Sequence, residues 1–79
     1  MNETKIFDAS EIDDSLIIKT LKEVMATLEE RGYNPVNQIV GYLMSGDPGY
    51  ISNYKQARNN LTKIDRAQIL KVLLKEFNK

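Results

Sequence analysis

The feature that most constrains this chain is a repeated piece of punctuation. Gly32-Tyr33-Asn34-Pro35 is followed by Gly46-Asp47-Pro48. A glycine past a helical run can take the left-handed conformation that closes a helix. An Asn or Asp immediately before the proline supplies a side-chain oxygen to cap the next helix, and proline suits the first helical position, where its missing N–H would have no partner. The spacing therefore predicts a helix that opens at Asn34-Pro35 and closes at Gly46, then a short helical turn launched by Asp47-Pro48. Inside that helix Val36, Ile39, Val40, Leu43 and Met44 share a face, with Tyr42 widening it, which makes it the expected central and most buried helix. Gly41 costs roughly 1 kcal/mol relative to alanine inside a helix, so another helix packed closely over it is expected.

The flanking segments extend the same grammar. Asp13, Asp14 and Ser15 are cap-type residues ahead of a stripe at Ile17, Leu21, Val24, Met25 and Leu28, which Arg31 and Gly32 terminate. A polar element over about Tyr54–Lys63 offers little to a core. Asp65 with Gln68 predicts a capping box, and Ile64 with Ile69 a hydrophobic staple, at the start of a last helix. There Ile69, Leu70, Val72, Leu73, Leu74 and Phe77 cover an arc of roughly 200°, enough for two packing partners. No alternating strand pattern persists. The expectation is an all-α bundle of four to five short helices: residues 13–79 as one helical domain, and residues 1–12, which show no period, as a flexible tail.

A 79-residue chain builds one small core, and such domains are commonly stapled by disulfides, a metal or a partner. With no Cys and no His here, disulfides and thiolate or imidazole metal sites are excluded. Self-association is the staple that remains, with a second copy on the outer arc of the last helix. No apolar run reaches the roughly 20 residues that span a bilayer, and the N-terminus lacks a signal-peptide pattern, so a cytoplasmic protein without membrane insertion is expected.

The net charge is zero but sorted. Residues 1–32 hold Glu3, Asp8, Glu11, Asp13, Asp14, Glu23, Glu29 and Glu30 against Lys5, Lys19, Lys22 and Arg31; residues 53–79 hold Lys55, Arg58, Lys63, Arg66, Lys71, Lys75 and Lys79 against Asp65 and Glu76. Mutual neutralisation of the two halves in the fold is the simplest reading. A helix-turn-helix-like DNA-binding regulator is the alternative, with Tyr54 to Asn60 as recognition segment. A pI near 6.2 weighs against it, so no nucleic acid is expected.

Catalysis finds little support. Serine has no histidine to activate it, and the pairs Asp13-Asp14 and Glu29-Glu30 diverge on a helix. No Walker or dinucleotide-binding glycine pattern is present. No catalytic residue, cofactor or metal is assigned. Thr4, in the tail, is exposed to modification: a phosphate would add about −1.5 to −2 charges, which Arg58 and Arg66 could receive bidentately.

The block GYNPVNQIVGYLMSGDPGYI, with Ala57 and Arg58 in register after it and Thr4-Lys5-Ile6-Phe7 ahead of the acidic pair Asp13-Asp14, resembles the IreB/ReoM family of small regulatory proteins of Gram-positive bacteria. Members often carry a proline and a basic residue where Ser52 and Asn53 stand here. The resemblance implies an all-helical homodimer without catalytic activity. Its implied partners are a transmembrane serine/threonine kinase with extracellular PASTA repeats and that kinase's phosphatase. It also implies that Thr4 is the phosphoacceptor. The unmodified protein is then expected to favour degradation, by the Clp protease system, of the enolpyruvyl transferase that begins peptidoglycan synthesis. Phosphorylation would relieve this, linking the switch to cell-wall homeostasis and β-lactam resistance.

Overall fold

The computed structural model describes residues 13–79, and among these every regular element is helical. Helix α1 spans Asp14–Glu30, α2 Pro35–Ser45, α3 Ala57–Thr62 and α4 Arg66–Phe77; single 3₁₀ turns occupy Pro48–Tyr50 and Tyr54–Gln56. Thr4 and the rest of the expected tail lie outside the described residues.

The expected punctuation operates. Asp13 caps α1, its carboxylate accepting from the Ser15 amide at 3.2 Å and the Ser15 hydroxyl at 2.9 Å. These bonds hold its pKa below the ordinary value. At the other end Gly32 sits at φ +90°, and the Tyr33 amide donates to the Leu28 carbonyl at 3.0 Å, closing α1 with a Schellman turn. The Asn34 side chain accepts from the Asn37 amide at 3.0 Å, and Gly46 closes α2 at φ +78°. Asp47 accepts from the Gly49 amide at 2.8 Å and starts the 3₁₀ turn behind Pro48.

The core forms along α1, which buries Ile17, Leu21, Val24 and Leu28. Against it lie Ile51, then Ala57 and Leu61 of α3, Ile64, and Ile69 and Val72 of α4. Each buried Ile, Leu or Val side chain among these contributes about 1.5–3 kcal/mol. Helix α4 packs on α1, with Arg66 at its start reaching the Leu43 carbonyl of α2 and Lys75 near its end pairing with Asp14 of α1 at 2.9 Å. That pair and Lys55–Glu30 tie the acidic first half to the basic second half, as the charge sorting predicts.

Four expectations need correction. Helix α2 is not the most buried: only Ile39 and Tyr42 enter the core, while Val36 is 56% and Met44 82% exposed. Half of its apolar stripe faces an open groove that α1 and α4 also border. Conversely, the polar segment after Ile51 does supply core, since Ala57 and Leu61 fall on one side of α3 against α1. The capping box at α4 is absent, as the Asp65 side chain makes no cap hydrogen bond; the staple pair Ile64 and Ile69 is buried as expected. The group packed over Gly41 is not an α-helix but the Tyr50 ring, whose Cδ1 would lie 2.5 Å from an added Cβ.

Candidate functional site

Three surface features stand out. The first is an apolar groove of about 180 Å³ between α1, α2 and α4, bordered by Met25, Val36, Ile39, Val40, Leu43 and Leu73. Around it α4 leaves Leu70, Leu73, Leu74 and Phe77 exposed, Phe77 at 90%. Only Ile69 and Val72 of that helix are buried. The wide apolar arc of α4 therefore has one face in the core and the other exposed among the described residues.

The second feature surrounds the Gly46–Ile51 loop. Arg66 Nη1 donates to the Leu43 carbonyl at 3.0 Å, and its guanidinium lies where a side chain at Gly46 would be, 3.0 Å from an added Cβ. A cation there also meets the negative end of the α2 dipole. Arg58 Nε donates to the Ile51 carbonyl at 2.9 Å from a half-buried position. Both arginines proposed from sequence as phosphate contacts thus brace backbone carbonyls on either side of the loop, each with other guanidinium donors left over.

The third feature joins the end of α1 to the turn before α3. The Glu30 carboxylate accepts from Lys55 Nζ at 2.9 Å and from the Tyr54 hydroxyl at 3.2 Å. The Tyr54 ring also has Arg31 and Lys55 over it, each cation 5.4 Å from the centroid. The bond from Lys55, then that from Tyr54, holds the Glu30 carboxyl below its usual range, and Glu30 in turn raises Lys55. Behind this cluster the backbone is strained: Lys55 at φ +49° and Gln56 at φ +68° are consecutive non-glycine residues in the left-handed region. Beside it a cleft of about 630 Å³ between α1 and α3 is lined by Thr20, Thr27, Lys55, Asn60 and Lys63 among others.

This cluster was not foreseen from sequence, because Glu30 and Tyr54–Lys55 are far apart in the chain and no local motif marks a left-handed pair without Gly or Asn. The same break removes a continuous Tyr54–Asn60 helix that could lie in a DNA groove. Among the described residues no group of three or more acidic side chains is placed to hold a metal ion. No described helix is long and apolar enough to cross a membrane.

A family model described as IreB regulatory phosphoprotein matches residues 2–79, a span that includes Thr4 and all three surface features.

Proposed function

Because the chain belongs to the IreB family of regulatory phosphoproteins, we propose that it is a non-enzymatic switch whose phosphoacceptor is Thr4. The inputs are a PASTA-type serine/threonine kinase and its phosphatase, acting on the cytoplasmic side. The output is control of Clp-dependent turnover of the enolpyruvyl transferase that begins peptidoglycan synthesis, directly or through an adaptor of the protease. The observation that carries this reading is the family match across nearly the whole chain, threonine included.

The surface anatomy supports a protein that works by being bound. The groove between α1, α2 and α4, with the exposed edge of α4, offers a second copy an apolar face. Two copies joined there are the proposed working unit. A phosphate on Thr4 adds charge to a tail already rich in acids and acts by redistributing contacts with the basic second half.

The half-life of the transferase after translation arrest tests the output. In cells carrying Thr4→Ala the account expects a shortened half-life and reduced β-lactam tolerance; in cells lacking the chain it expects a lengthened one. An unchanged half-life in the deletion strain would refute it.

A further inference from the structure

Granted the reading above, in which Thr4 carries a phosphate, the geometry points to the α1/α3 cleft as its receiver. There Lys55 and Lys63 bind the phosphothreonine of the chain's own N-terminal segment, and Lys55 exchanges Glu30 for the phosphate. Lys55 lines the cleft while bonded to Glu30, and both side chains are more than half exposed, at 58% and 52%. The exchange therefore disturbs no core contact. Lys63 shares the cleft and has no ion pair among the described residues. Asn60 and the hydroxyls of Thr20 and Thr27 can donate to the remaining phosphate oxygens.

The arginines suit the task less well. Arg58 and Arg66 hold the Ile51 and Leu43 carbonyls. Each therefore has one donor committed to a backbone carbonyl, and a phosphate that drew the guanidinium away would cost that bond, whereas Lys63 makes no ion pair among the described residues. The segment can reach the cleft. The nine steps from Thr4 to Asp13 extend to about 30 Å. Along α1 the distance from Asp14 to Thr27 is about 20 Å. Charge favours the encounter too, since residues 1–12 carry Glu3, Asp8 and Glu11 against Lys5 before any phosphate is added.

The exchange has a built-in consequence. Glu30 tethers Lys55 to the end of α1 while Lys55 and Gln56 hold left-handed conformations immediately ahead of α3. A phosphate that takes Lys55 loosens this tether, and the strained pair can then relax with a shift at the start of α3. On α1 the cleft residues Thr20, Val24 and Thr27 lie roughly 120° around the helix from Leu21 and Met25 of the apolar groove, so occupation of one face leaves the other free.

The test uses the full chain with phosphothreonine installed at position 4 by synthesis, so that no kinase is required. Its ³¹P resonance is compared with that of a phosphopeptide of residues 1–12, and its amide spectrum with that of the unmodified chain. The expected result is a ³¹P resonance displaced from the free peptide, unchanged on dilution, with amide shifts centred on Lys55, Gln56 and Lys63. Lys63→Gln should reduce the displacement and Lys55→Gln with Lys63→Gln abolish it, whereas Arg66→Gln should retain it. Melting curves identify any variant that fails to fold, and the single Lys63→Gln exchange, on an exposed side chain, then decides. A resonance coincident with the free peptide, or one lost in Arg58→Gln or Arg66→Gln but kept without the lysines, overturns the receiver. A concentration-dependent displacement overturns its intramolecular placement. Absence of kinase transfer to Thr4 is a separate result and refutes the underlying reading instead.

Discussion

Gly41 shows how one residue couples two elements. An alanine there would gain roughly 1 kcal/mol of helix propensity. It would also put a methyl group 2.5 Å from Cδ1 of Tyr50, and overpacking of this kind costs about 1–3 kcal/mol. The clash dominates, so Gly41→Ala is expected to destabilise by about 1 kcal/mol. In a Tyr50→Ala background the same change should become stabilising. Thermal melts of the four proteins in that double-mutant cycle check the sign reversal, and equal effects in both backgrounds would show that the ring is not the reason for the glycine. That Gly41 is closely packed was legible in the sequence, since an unexplained helical glycine calls for a neighbour. The neighbour's identity was not, because nothing local places a ring from the following turn over α2. Gly32 and Gly46 were legible in full: their stop role follows from cap chemistry within a few residues, and both take positive φ.

Among elements, the latch between α1 and the Tyr54–Gln56 turn makes stability depend on pH in a stated direction. Lys55 and Tyr54 lower the pKa of Glu30, so its contribution is complete above the ordinary glutamate value and is lost as pH falls through the lowered one. Glu30 raises the pKa of Lys55, whose contribution is complete below the ordinary lysine value and lost as pH climbs through the raised one. The latch therefore operates across the neutral range. Glu30→Gln should lower the melting temperature at about pH 7, do so progressively less as pH falls through the lowered pKa of the native carboxylate, and do so less in high salt because the pair is exposed. A pH-independent effect would mean that the carboxylate's charge is not what matters.

The helix starts and stops were readable because capping acts within one turn. The orientation of each helix was less so. The stripe on α2 looked like a core face, yet Ile39 and Tyr42 carry the burial while Val36 and Val40 border the groove. Periodicity shows that a helix has an apolar face but not whether this chain or another covers it. The break at Lys55–Gln56 carried no turn-forming residue to announce it.

At the scale of the whole molecule, zero net charge conceals an acidic start and a basic end that the fold ties together at Lys55–Glu30 and Lys75–Asp14. Among the described residues, the groove and the outer side of α4 are left uncovered. Equilibrium sedimentation should give twice the 9.1 kDa chain mass in the micromolar range, and Val40→Lys, at an exposed groove position, should return the single-chain mass with helicity intact. A native chain at 9.1 kDa throughout that range would rule out the proposed pairing. The family assignment fits a protein with such surfaces, and the proposed switch rests on one hydroxyl, that of Thr4.

The most direct test of that switch is intact-mass analysis after incubation with the catalytic domain of the host's PASTA-type kinase, on the native chain and on Thr4→Ala. The account predicts one added phosphate on the native chain and none on Thr4→Ala. An unmodified native chain, or a phosphate that persists in Thr4→Ala, would contradict it.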